Sequence, residues 1–147
     1  MKRIILICII AITSVSGYAQ DQDVRELLDK GINLITKKEY KKAIEVFDEA
    51  AKISPDEAEI YAHRGQAKHY LNLFKEAIED YNIAIRLQPD YAEVYHLRGL
   101  AKGELKDNTG ACEDWEIAYE KGESRALQLI VEFCETNKDN SKNKKSK

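Results

Sequence analysis

One interval governs this sequence. Thirty-four residues after Tyr61, Arg64, Gly65, Ala67 and Lys68 stand Tyr95, Arg98, Gly99, Ala101 and Lys102, so the pattern YxxRGxAK occurs twice in register. The same interval back from Gly65, Phe74, Ala77, Tyr81, Ala84 and Pro89 finds Gly31, Tyr40, Ala43, Phe47, Ala50 and Pro55, a third copy. Forward from Ala77, Tyr81 and Ala84 it finds Ala111, Trp115 and Ala118. Three contiguous units, residues 24–57, 58–91 and 92–125, therefore cover 102 of the 147 residues. A chain that repeats at this length folds by stacking one small unit on the next, because a single unit cannot bury its apolar face alone.

Within each unit, apolar or small residues stand at positions 4, 8 and 11 or nearby, and again at 20, 24 and 27. Intervals of three and four place them on one face of a helix, so each unit reads as two helices packed face to face. Leu27, Gly31 and Leu34 are expected to meet Ala43, Phe47 and Ala50; Tyr61, Gly65 and Ala67 are expected to meet Ala77, Tyr81 and Ala84. A helical glycine costs about 1 kcal/mol relative to alanine, so Gly31, Gly65 and Gly99 call for a reason, and close helix approach supplies one. Pro55 and Pro89, each followed by Asp, mark where one unit stops and the next begins. Asn108, Thr109 and Gly110 read as the turn inside the third unit.

Small residues at unit positions 8, 20 and 27, an aromatic at 24 and Pro at 32, in a period of 34, resemble the tetratricopeptide repeat. The resemblance implies an all-α fold: three tandem helix-turn-helix units stacked as a right-handed superhelix with a concave, ligand-binding side. Position 7, often a large apolar residue in that family, is Lys30, Arg64 and Arg98 here, and position 32 of the third unit is Glu123. The first departure recurs and marks a subtype; the second marks the end of the array. After Gly122, residues 126–135 place Ala126, Leu127, Ile130, Phe133 and Cys134 at helical intervals, as expected of a capping helix with a polar outer side.

The chain opens with a basic end at Lys2 and Arg3, nine apolar residues from Ile4 to Ile12, and small residues ahead of Gln20. This is the pattern of a secretory signal peptide over residues 1–19, cleaved after Ala19. The apolar run is well short of the roughly 20 residues a spanning helix needs, so no membrane span is expected in the mature chain. The expected setting is the periplasm or the exterior of the cell. Residues 20–23 form a short lead. Residues 136–147 contain five lysines against Asp139 and no apolar residue, and read as a disordered basic tail. The whole chain carries 23 basic and 26 acidic residues; setting aside Lys2, Arg3 and the tail leaves a net charge of −9 on residues 20–135. An acidic body argues against a nucleic-acid platform, where phosphate contacts dominate affinity.

Few residues invite chemistry. Cys112 and Cys134 lie about ten and twelve residues from the turn near Gly122, on opposite arms, and a rise of 1.5 Å per residue brings those levels together. In an exported protein this favours a disulfide; two separate buried thiols are the alternative. His63, His69 and His96 all fall on first helices, but their spacings match no metal-ligand pair, and polar lining of the groove is the plainer reading. Ser54, Ser124 and Thr109 sit at expected helix ends, where hydroxyls cap, and no nucleophile stands beside a base. Arg64 and Arg98 co-occur with Asp80 and Asp114, while the first unit has Lys30 and Val46, which points to partly buried Arg–Asp bridges.

The resemblance places ligand-facing residues near unit positions 2, 5, 6, 9, 12 and 13. The candidate peptide-binding residues among them are Arg25, Leu28, Ile32, Gln66, His69, Tyr70, His96 and Leu100. The Lys, Asn and Arg set with which family members clamp a peptide's terminal carboxylate is absent, which argues against a receptor for chaperone tails. Apolar anchors and the acidic edges at Glu59, Glu93 and Glu104 suit an extended or helical segment with apolar and basic residues. The reading is a non-catalytic protein-interaction adaptor of the cell envelope, with no cofactor. The alternative is an exported binder of a small ligand or metal through the groove histidines.

Overall fold

In the computed structural model, residues 22–135 are described; the expected signal peptide (1–19) and basic tail (136–147) lie outside the described residues. Among the described residues seven helices follow one another: α1 (22–36), α2 (Tyr40–Ile53), α3 (Ala58–Tyr70), α4 (Phe74–Leu87), α5 (Ala92–Glu104), α6 (Asn108–Glu120) and α7 (Arg125–Leu129), which runs on as a π-helical turn, Ile130–Glu135. There is no strand among the described residues, and no helix there is long and apolar enough to cross a membrane. From α2 onward each helix packs on the next, and the first helices α3 and α5 also touch, so the expected all-α stack of helix pairs is the fold observed.

The glycine of each unit faces the aromatic at position 24. A Cβ at Gly65 would stand 2.7 Å from Cε1 of Tyr81, and one at Gly99 would stand 2.5 Å from Nε1 of Trp115; at Gly31 the ring of Phe47 occupies the same place. Phe47 and Tyr81 are fully buried, with Ala43, Ala50, Ala77 and Ala84 around them. The backbones thus approach as closely as a missing side chain allows, and the rings fill what is left.

The recurring YxxRGxAK pattern has a part for every letter. Tyr61 and Tyr95 donate their hydroxyls to the carbonyls of Pro55 and Pro89, at 2.9 and 3.2 Å, tying each unit to the turn before it. Arg64 forks onto Asp80 at 2.6 and 2.9 Å, and Arg98 onto Asp114 at 2.6 and 2.8 Å. Lys68 and Lys102 add second cations to the same carboxylates, at 2.7 and 2.9 Å. Asp80 and Asp114 are buried, so they need every one of these partners. Each arginine also reaches the preceding unit, Arg64 to Asp48 and Arg98 to Asn82, both at 2.7 Å.

The turn inside each unit places one residue in the left-handed region: Lys38, Asn72 and Lys106, with φ of 62°, 61° and 65°. These are again 34 apart. The third unit's turn therefore lies at Leu105–Asp107, not at Asn108–Gly110, which are the first turn of α6. Asp107 supplies the reason: its carboxylate accepts from the backbone N–H of Gly110 at 3.0 Å, so it caps the helix in place of Thr109.

At the far end α7 is short and buries only Ala126. The expectation of a polar outer side needs correction, since Leu127, Val131 and Phe133 are about half exposed. A helix of five residues fixes one face through one buried position, and the widened π-helical turn then rotates the residues beyond it. Cys134 is buried and is bonded to Cys112 of α6, with their Cα atoms 5.7 Å apart.

Candidate functional site

Unit position decides which first-helix side chains reach the surface. Position 5 is buried throughout: Leu28 at 7%, Ala62 at 4% and His96 at 7% exposure. Leu28 and His96 are therefore corrected as candidate ligand contacts, because position 5 faces into the packed stack. Position 9 (Ile32, Gln66, Leu100) and position 12 (Ile35, His69, Gly103) are half-buried. Positions 2 and 13 are exposed, namely Arg25, Glu59 and Glu93, then Thr36, Tyr70 and Glu104. The side chains available to a partner are thus Arg25, Ile32, Gln66, Tyr70 and Leu100, with His69 among them and the carboxylates of Glu59, Glu93 and Glu104 at the edges.

Around Tyr70 the surface is aromatic. Tyr40 stacks on Tyr70 with ring centroids 4.9 Å apart, and His69 stands edge-on to Phe74 at 5.2 Å. Burial holds the His69 imidazole below its ordinary pKa, against the opposing pull of Glu104. His63 lies flat against Phe47 at 6.0 Å and 3.5 Å from Glu59. His96 is also pushed down, first by burial and then by Arg125. The three histidines occupy three separate settings, and among the described residues no group of three or more His, Cys, Asp or Glu side chains is placed to hold a metal ion.

The aromatic lining stops at the third unit. Positions 12, 13 and 17, which are His69, Tyr70 and Phe74 in the second unit, become Gly103, Glu104 and Asn108. Here a cavity of about 470 Å³ opens between α5, α6 and the terminal turn, walled by Leu100, Trp115, Leu129 and Phe133, with Glu104 and Lys106 also lining it. Trp115, Leu129 and Phe133 are not among the residues expected at the site. The loss of the aromatics at three unit positions is the signal in the sequence that marks the spot.

Near the other end of α5, Arg125 reaches Glu93 at 3.1 Å and Glu123 at 2.7 Å. The Arg125 hydrogen bond is the main reason the Glu123 carboxyl titrates at about 2. Glu93 is thereby partly neutralised, which leaves Glu59 and Glu104 as the less compensated edge.

A family model described as TPR repeat matches residues 34–72 and 69–106. The chain belongs to the tetratricopeptide-repeat family. Its fold is similar to the first TPR domain of Spaghetti (RPAP3) bound to the HSP90 peptide SRMEEVD, with 24% identity, TM-score 0.75, and 78% of this chain and 93% of that one covered. It is also similar to the Sgt2 TPR domain from Aspergillus fumigatus (26% identity, TM-score 0.74, 82% of each chain). The TPR2B domain of yeast Sti1, in complex with pHsp70, gives 26% identity and TM-score 0.74 over 78% of this chain and 98% of that one. No curated protein matches the sequence. This tetratricopeptide-repeat chain thus shares its stack of helix pairs with those domains.

Proposed function

We propose that this protein is a non-catalytic interaction module that holds a segment of another protein along its first helices, and that it does so after export from the cytoplasm. The observation that carries the reading is the row of accessible side chains Ile32, Gln66, Tyr70 and Leu100, apolar but for the Gln66 amide and edged by carboxylates. The similar Sti1 domain, in its complex with pHsp70, supports another protein's segment as the ligand class. The particular peptide differs. SRMEEVD, held by the Spaghetti domain, is acidic toward its end, whereas this chain sets Glu59 and Glu104 at the edges of its row and carries −9 over residues 20–135. Like charges brought together cost affinity and specificity, so the partner is a segment with apolar anchors and basic residues.

Export is supported by the basic, apolar and small-residue order of residues 1–19, and an oxidising setting would suit the Cys112–Cys134 bond. Two measurements test the proposal. Mass spectrometry of the native protein should find a chain beginning at Gln20; an intact Met1–Ala19 on a membrane-bound form would make that segment an anchor and overturn the cleaved signal. Replacing Ile32, Tyr70 and Leu100 with Ala should abolish capture of the native partner while helix content by circular dichroism is unchanged. Capture that survives those changes but fails on His63→Ala and His69→Ala would favour a histidine-based ligand site instead.

A further inference from the structure

We propose that the cavity between α5, α6 and the terminal turn is an anchor subsite that takes one bulky apolar side chain of the bound segment, next to a basic residue that pairs with Glu104. The inference rests on the peptide-binding reading and adds the side-chain chemistry that reading leaves open. Three observations carry it. The space exists because Gly103, Glu104 and Asn108 stand where the preceding unit has His69, Tyr70 and Phe74, so a side chain is missing from a lining that is otherwise filled. At about 470 Å³ it falls in the range of clefts that hold organic ligands, and its walls are Leu100, Leu129 and the rings of Trp115 and Phe133, 6.0 Å apart.

The charge at its mouth selects the neighbour of the anchor. Glu104 is exposed and stands close enough to His69 to oppose the lowering of its pKa, and the surrounding body is strongly acidic. Lys106 also lines the cavity and offsets part of this charge, so a lysine or arginine beside the apolar anchor is favoured by Glu104 together with the net acidity of the body, and an aspartate or glutamate there is disfavoured by that same net charge. Interfaces of this kind draw most of their binding energy from a few buried aromatic or aliphatic anchors, with rim charges setting selectivity and association rate.

Trp115 is the only tryptophan in the chain, so its fluorescence reports on the cavity directly. The probe is a capped nonapeptide with one phenylalanine among lysines, titrated into the oxidised full chain and followed both by Trp115 emission and by calorimetry. Its counterparts carry alanine for the phenylalanine, or glutamates for the lysines. The expected result is a shift in Trp115 emission with the first peptide only, and affinity at least tenfold weaker for each counterpart. Gly103→Leu should fill the space: a Cβ there would meet Trp115 Cη2 at 3.8 Å, an ordinary contact, so the fold is kept while the phenylalanine peptide loses at least tenfold. Glu104→Gln is the milder second variant and should weaken the lysine peptide severalfold without altering thermal melting.

Equal affinity for the phenylalanine and alanine peptides, with Trp115 emission unmoved, would overturn the subsite and leave peptide binding elsewhere on the row intact. No binding of any peptide by either readout, at more than one temperature for the calorimetry, would overturn both readings. A dimer seen by sedimentation in wild type and abolished by Gly103→Leu would also overturn it, by assigning the cavity to a second copy of this chain.

Discussion

At the scale of single residues, the fold is decided by what is left out. Gly65 matters because a β-carbon in its place would stand 2.9 Å from Cδ1 of Tyr81 and 3.2 Å from the carbonyl oxygen of Ala77. Gly65→Leu should therefore destabilise the protein by about 1 to 3 kcal/mol, the usual cost of overpacking a contact that cannot move aside. Urea unfolding followed by circular dichroism checks this, with Gln66→Ala as the neighbouring control; an unmoved midpoint would mean that α3 and α4 are not in this register. The glycine contacts and the Arg–Asp pairs are legible in the sequence because they repeat, and a repeat is a statement about geometry that side-chain type alone does not make. The burial of Leu28 and His96 is hidden for the opposite reason: unit position 5 holds Leu, Ala and His, a mixture that carries no apolar signature although all three are buried.

At the scale of elements, the packing of α7 and its terminal turn on α6 is reinforced by a covalent bond and a small ionic knot. The Cys112–Cys134 bond closes a loop of 22 residues, worth about 3 kcal/mol in the chain-entropy model. Full reduction with a dithiol should lower the melting temperature by several degrees, read by scanning calorimetry with and without reductant, and an unchanged melt would show that α6 and α7 stay docked without it. The ionic knot responds to acid. Because Arg125 holds the folded-state carboxyl of Glu123 at about 2, below its ordinary 4.5, its contribution is complete above about 4.5 and is lost as pH falls through about 2. The difference in melting temperature between wild type and Glu123→Gln should accordingly be largest near pH 5 and shrink toward pH 2; a constant difference would mean that Arg125 does not grip the charged form. The outer face of α7 is the least legible element, because a π-helical turn breaks the 3.6-residue period from which a buried face is read.

At the scale of the whole molecule, the stack is a charged ladder as much as an apolar one. Binding of a basic segment should slow as salt is added, because the acidic body steers encounter over about a Debye length, roughly 10 Å at 0.1 M salt. Stopped-flow capture at two ionic strengths measures this, and a rate indifferent to salt would remove electrostatics from recognition. The arginines that span units have a second consequence. Arg64 grips Asp80 in its own unit and Asp48 in the unit before, and Arg98 likewise grips Asp114 and Asn82, so each is a rivet through two plates. The first unit has no such rivet of its own, since Lys30 is exposed and Val46 stands where the acid would be. Amide protons of α1 should therefore exchange with solvent ahead of those in α3 to α6, which open together, and the array comes apart as a zipper drawn from its first tooth.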